Sequence, residues 1–186
     1  MVKGRSAGSA KSAESPSVRI DPASSQEPRF IVDVMLGKLA KWLRILGYDT
    51  LYRRDWEDEE LLARADAEDR VLLTADREVI QRRRGNKKVY ISAAHWSEQL
   101  RQLAQTLPLS MEGVFTRCIE CNVLLERLPK ERARGQVPPY VFATQEEFGR
   151  CPVCGRIYWR GTHFAHALAA VESILKEEQE QKQEQR

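Results

Sequence analysis

Between residues 30 and 107 the hydrophobic positions switch repeatedly between two periods. Phe30-Ile31-Val32-Asp33 is a short apolar run closed by an acid, and from about Met35 the residues Leu36, Leu39, Ala40, Leu43 and Leu46 recur at helical spacing until Gly47. The run predicts a buried strand, and the spacing predicts a helix with one apolar face, stopped by a glycine. Tyr48 to Tyr52 predicts a second strand. Asp58 then opens a helix carrying Leu61, Leu62 and Ala65, with acids in its first turn where the macrodipole favours them. Arg70-Val71-Leu72-Leu73-Thr74 predicts the clearest buried strand, Asp76 to Arg84 a helix, Lys88 to Ile91 a strand, and Trp96, Leu100, Leu103 and Leu107 a further helix. Strand and helix alternate with short links, which predicts an α/β fold: a parallel sheet with helices on both faces, ending near Pro108.

On either side the rhythm breaks. Met1 to about Pro28 is rich in Ser, Ala, Gly and Pro with only scattered Val18 and Ile20, too little apolar surface to order a segment. From Val114, two C-x-x-C pairs and Pro138-Pro139 replace the alternation, and a small second module is expected at about 114 to 162. Lys176 to Arg186 is Glu, Gln, Lys and Arg without an apolar stripe, as in a solvated helix extension or frayed chain. The expected organisation is a flexible tail over 1–28, the α/β domain over 29–112, the cysteine-bearing module over 113–165, and a C-terminal helix with a charged tail over 166–186.

Composition narrows the class. At 186 residues the chain can bury a real core but is too short for a large multidomain machine. Its apolar runs are too short to cross a bilayer and Met1 to Ala10 lacks the apolar stretch of a secretory signal, so a soluble cytoplasmic protein is expected. Lys and Arg number 30 against 27 Asp and Glu, a net charge of +3, so bulk charge does not announce a nucleic-acid binder and only local placement can.

Three acids fall where placement matters. Asp33 follows the first strand, Asp58 follows the second, and Asp76 follows the third. In an open parallel sheet the carboxyl ends of the strands share one edge, the edge at which ligands bind, so the three aspartates are expected to converge there. Clustered carboxylates repel unless a hard cation neutralises them, and Mg²⁺ or Mn²⁺ takes such oxygen ligands and can activate water against a phosphodiester. The alternative for each is a helix cap. Lys38, Lys41 and Arg44 recur every three residues opposite the apolar face of the first helix, and Arg77, Arg82, Arg83, Arg84, Lys87 and Lys88 cluster after Asp76. Two basic groups flanking an acidic edge suit a phosphate backbone, although such stripes also serve as ordinary solvated faces.

Cys118-x-x-Cys121 and Cys151-x-x-Cys154 stand 29 residues apart, in the contexts Arg-Cys-Ile-Glu-Cys-Asn and Cys-Pro-Val-Cys-Gly. Two such knuckles supply four thiolates in tetrahedral arrangement, a structural Zn²⁺ site with no open position. A redox role is the competitor for a single pair, but two pairs outside the alternating segment disfavour it. Arg156, Tyr158, Trp159, Arg160, His163 and Phe164 follow, a basic and aromatic mixture suited either to stacking on unpaired bases or to packing a small ribbon.

Phe30 to Thr50 (FIVDVMLGKLAKWLRILGYDT), Val71 to Glu78 (VLLTADRE), Arg117 to Asn122 (RCIECN) and Cys151 to His163 (CPVCGRIYWRGTH) together resemble the Mut-seven C-terminal RNase family, over about 29 to 165. The resemblance implies a PIN-like domain followed by a zinc ribbon, and a metal-dependent endoribonuclease with Asp33, Asp58 and Asp76 as catalytic Mg²⁺ or Mn²⁺ ligands. It further implies RNA as partner, with tRNA, rRNA or the ribosome as sources, held by the basic residues of the first helix, the Arg77 to Lys88 segment, Arg156, Arg160 and His163. Ala75 stands where the family usually has Arg, and Glu98 is the nearest candidate for the fourth acid of many PIN nucleases. The alternative is a catalytically silent RNA-binding or ribosome-associated adaptor using the same surface.

Overall fold

Phe30, Ile31 and Val32 form β1 (Phe30–Val32), and all three are fully buried because this strand lies inside a parallel sheet in a computed structural model that describes residues 27–184. The flexible tail expected over 1–28 falls, apart from its last two residues, outside the described residues. Three more strands, β2 (Thr50–Tyr52), β3 (Val71–Thr74) and β4 (Lys88–Tyr90), complete the sheet in the order β2-β1-β3-β4, with Phe30 opposite both Thr50 and Val71. Each strand is followed by a helix. A 3₁₀ turn over Val34–Leu36 runs into α1 (Gly37–Ile45), and α2 (Asp58–Ala67), α3 (Arg77–Gln81) and α4 (Trp96–Thr106) follow in turn.

The alternation of side chains across the strands divides the core in two. Phe30, Val32, Val71 and Leu73 face α1 and α4 through Leu39, Leu43, Leu100 and Leu103. Ile31 and Leu72 face α2 and α3 through Leu61, Leu62 and Val79. Helices therefore cover both faces, as the sequence predicts. The third helix is shorter than the predicted 76–84 stretch: it ends at Gln81, and Arg82 is already extended. At the end of α1, Gly47 adopts φ +100°, and a Cβ there would lie 2.2 Å from the carbonyl oxygen of Gly113, so both the backbone turn and the close approach require glycine.

The cysteine-bearing segment forms a second, antiparallel sheet ordered β5-β6-β7, from β5 (Glu126–Leu128), β6 (Phe148–Arg150) and β7 (Ile157–Tyr158). Between β5 and β6 the chain makes α5 (Lys130–Ala133) and α6 (Pro139–Thr144), and Leu128, Ala133, Val137 and Phe148 make a small core of their own. The chain then returns as α7 (Thr162–Glu184), whose Val171 and Leu175 are buried in the same cluster as Leu100 and Leu103. Beyond Lys176, where a solvated extension or frayed chain is expected, the helix continues and stays docked. Glu178 is 4% exposed and faces Arg101 at 3.6 Å, and the Lys182 ammonium donates to the Ala104 carbonyl at 2.7 Å.

Candidate active site and metal centre

The order β2-β1-β3-β4 reverses direction between β1 and β3, and in open α/β sheets the crevice at the carboxyl ends of such neighbours is where ligands sit. Asp33 directly follows β1 and Asp76 follows β3 by one residue. Thr74, fully buried at the end of β3, links them: its hydroxyl donates to Asp33 Oδ2 at 2.7 Å and accepts the Asp76 backbone N–H at 2.9 Å. Asp33 is 7% exposed, and its side chain makes no capping bond to the turn it precedes. Asp76 does cap α3, accepting the Glu78 N–H at 2.7 Å.

Asp58 is not drawn into this pair. It occupies the first position of α2, after a Glu57 cap position without a side-chain bond, and its carboxylate faces Arg82 at 3.3 Å, while Glu59 takes the other guanidinium nitrogen at 2.5 Å. Asp33 and Asp76 are linked through Thr74, whereas the Asp58 carboxylate is engaged by Arg82, so the three aspartates expected to converge form no single cluster among the described residues. Glu98, in the first turn of α4, faces Arg101 at 3.7 Å. As a donor set, Asp33 and Asp76 fit a hard divalent cation of the Mg²⁺ kind, which is commonly held by one or two carboxylates with waters and substrate phosphates filling the rest.

The four cysteines do converge. The sulfurs of Cys118, Cys121, Cys151 and Cys154 lie within 4.8 Å of one another, and among the described residues they are the one group of three or more metal-type side chains so placed. The two knuckles are copies in detail. Asn122 N–H donates to Cys118 O at 2.9 Å and Gly155 N–H to Cys151 O at 3.0 Å, and both residues following the second cysteine are left-handed, at φ 64° and 72°. Backbone N–H groups also point at sulfur, Cys121 to Cys118 at 3.3 Å and Cys154 to Cys151 at 3.4 Å. Burial opposes ionisation of Cys118, but the Tyr158 hydroxyl at 3.1 Å and the knuckle amides bring its thiol down to about 7. Burial and the neighbouring thiols push Cys121 up to about 12, so the cluster resists losing its protons together until a cation compensates. Four sulfurs closed on themselves fit Zn²⁺ in a structural role.

The basic residues divide by location. Lys38 is exposed on α1, and Lys41 beside it lies 3.7 Å from Glu120. Arg44, expected on the same solvent-facing stripe, is corrected: it is 6% exposed, and its guanidinium donates to the carbonyls of Thr50, Ile119 and Glu120 at 2.8–2.9 Å. It ties the first knuckle to the parallel sheet. Arg77 stacks on Tyr90 and donates to its hydroxyl at the carboxyl edge. Arg83 and Arg84 are exposed beyond α3, but Lys87 and Lys88 open β4 at its amino end, the opposite edge from Asp33. Lys87 pairs with Asp69, and Lys88 is partly buried against the carbonyls of Val79 and Arg84, which lowers its pKa by desolvation. The basic group after Asp76 therefore does not ring the acids as a whole. Arg156 faces Glu120 at 3.1 Å, Arg160 lies over Phe115, and the side chain of His163, in the first turn of α7, lies outside the described residues. Arg53 and Arg54, unnoticed in the sequence, follow β2 at the carboxyl edge, with Arg53 over Trp56. Adjacent arginines just after a strand were the available signal.

The family model of the Mut7-C RNAse domain matches residues 28–171, more than three quarters of the chain. The chain belongs to the Mut7-C RNAse domain family. No curated protein and no solved structure matches it. The Mut7-C match takes in the parallel sheet, both knuckles and the start of α7, and it gives the protein a ribonuclease-type function with RNA as its substrate class. Among the described residues no helix is long and apolar enough to cross a membrane.

Proposed function

We propose that the protein is a metal-dependent endoribonuclease of PIN type, acting in the cytoplasm on RNA such as tRNA or rRNA, free or in the ribosome. The observation that carries this reading is the Thr74 hydroxyl between Asp33 and Asp76 at the switch in strand order. It holds the Asp33 carboxylate and the Asp76 backbone at neighbouring strand ends, and the Glu78 N–H orients the Asp76 carboxylate, as a preorganised pair needs. A Mg²⁺ or Mn²⁺ held there supplies an activated water and offsets charge developing on the phosphodiester. Asp33 and Asp76 orient that cation, Thr74 holds Asp33 in place, and Arg77 and Lys38 meet the phosphates. Asp58, held by Arg82, lies outside that pair, so the proposal takes Asp33 and Asp76 as the protein ligands. The cysteines hold Zn²⁺, which fixes the ribbon, and the units proposed are 29–112 for the nuclease, 113–165 for the ribbon and 166–186 for the closing helix.

One observation favours a second reading. The Asp58–Arg82 pair leaves two acids rather than three at the edge, as suits an RNA-binding adaptor without catalysis. Incubating labelled RNA and DNA of one sequence with the protein, with and without added Mn²⁺ or Mg²⁺, separates the two. Divalent-dependent cleavage of RNA alone supports the nuclease; RNA binding with no cleavage in either metal supports the adaptor.

A further inference from the structure

Between the segment 114–116 and the strands of the antiparallel sheet lies a cleft of about 370 Å³, near the lower end of the roughly 300–1,000 Å³ that small-molecule sites occupy. Phe115, Leu124, Leu125 and Trp159 are among the residues that line it, as are Arg127 and Arg160. Two features mark these walls. Leu124 is 60% exposed although it lies just before β5. Phe115 has φ 65°, a left-handed conformation that a bulky side chain adopts only under constraint, and its N–H is fixed on the Ile45 carbonyl at 3.0 Å. That turn sets the phenyl ring against Phe164 at 4.4 Å and beneath the Arg160 guanidinium at 5.7 Å.

From Phe115 the aromatic surface continues toward the candidate active site. Phe164 lies 6.1 Å from Trp42 with rings 24° apart, Trp42 stacks on Trp96 at 4.4 Å, and Trp96 meets His95 at 5.6 Å. Trp42, Trp96 and Phe164 are half-buried, and α4, which carries Trp96, starts on the carboxyl edge of the parallel sheet, where Asp33 lies.

We infer that this cleft binds one unpaired nucleotide of the RNA, its base against the apolar walls and its phosphates on Arg127 and Arg160. Flat apolar and aromatic walls suit any base, because every base has a π-face, and guanidinium groups suit the flanking phosphates. Glu147, which also lines the cleft, repels phosphate and accepts hydrogen bonds from exocyclic amino groups, so the base edge turns toward it. The inference rests on the ribonuclease reading for its RNA and deepens it: the substrate is single-stranded where it crosses the ribbon, since a paired base cannot enter the cleft.

The test compares the full chain, zinc-loaded and without added Mg²⁺ or Mn²⁺, on a fluorescent single-stranded RNA and on a fully paired duplex of the same length, at fixed salt. Leu124→Glu places a charge in the cleft from an exposed position outside the core, and Arg160→Ala removes a lining cation together with its contact on the Phe115 ring. Both variants are expected to bind the single strand about tenfold more weakly than the wild type, the loss typical of one stacked base, and the duplex unchanged. Equal single-strand affinity of the wild type and both variants overturns the inference and leaves the cleft to a peptide or to no ligand. Failure of the two proposals is distinguishable. Weaker binding by the variants, in a protein that cuts no RNA, removes the nuclease reading and keeps the cleft, whereas cleavage with unaltered affinity removes the cleft alone.

Discussion

Thr74 is a small residue with two obligations, a bond to the Asp33 carboxylate and one from the Asp76 amide. Thr74→Val keeps the shape, removes the hydroxyl and leaves a buried carboxylate short of a donor, a change that costs about 1–3 kcal/mol. Urea unfolding is expected to show that loss, and Thr74→Ser is expected to recover most of it. The positions of Asp33 and Asp76 were legible in the sequence because each follows a strand recognisable from its own apolar run. Arg44 was not. Its spacing from Lys38 and Lys41 put it on the polar face of α1, but it sits at the helix end, where carbonyls 75 and 76 residues away in the chain enclose it. Burial pulls the pKa of its guanidinium down, and Glu120 and the knuckle thiols oppose that pull. Asp58 shows the same limit, since the arginine that claims it comes 24 residues later.

Among the elements, the first knuckle does more than supply two thiols to the candidate metal site. Its last residue, Asn122, accepts the Thr50 N–H at 2.9 Å at the start of β2 and donates to Asp49 at 2.7 Å, while Asp49 in turn pairs with the nearly buried Arg70 at 2.9 Å. Removing zinc with a chelator is therefore expected to be felt in the parallel sheet: hydrogen exchange at the Thr50 amide should rise as the knuckle loosens, and metal analysis beforehand should find about one zinc per chain. Asp49 also gives an acid dependence. Burial alone would raise its pKa, but the hydrogen bonds from Arg70 and Asn122 outweigh that and hold it below its ordinary value of 3.8. A folded value below the unfolded one means that the stabilisation is present above about pH 5 and is lost as the pH falls through 4 and below. The urea midpoint of the wild type is expected to drop across that window, and that of Asp49→Asn to drop less. Strand and helix types were legible because their periods are local. The docking of α7 was not, because Arg101, Gln105 and Leu109, about 70 residues earlier in the chain, hold it in place.

For the whole molecule, the near balance of 30 basic and 27 acidic residues conceals a separation between the two edges of the parallel sheet. The carboxyl edge carries Asp33, Asp76, Arg53, Arg54 and Arg77; the amino edge carries the Asp49–Arg70 pair, Lys87, Lys88 and the first knuckle. In a parallel sheet the place of each charge before or after its strand decides the edge, so this division was legible, whereas the partner that each charge takes is a property of the assembled chain. In the proposed function the amino edge serves structure and the carboxyl edge chemistry. The most direct measurement is the Mn²⁺-dependent cleavage rate of labelled RNA by zinc-loaded wild type, Asp33→Asn and Asp76→Asn, each checked for folding by urea unfolding. Losses of a hundredfold or more in both variants, with folding intact, are expected from losing a ligand of the catalytic cation, on the order of removing one charge-stabilising group. Cleavage by either folded variant at the wild-type rate would contradict the placement of the active site between β1 and β3.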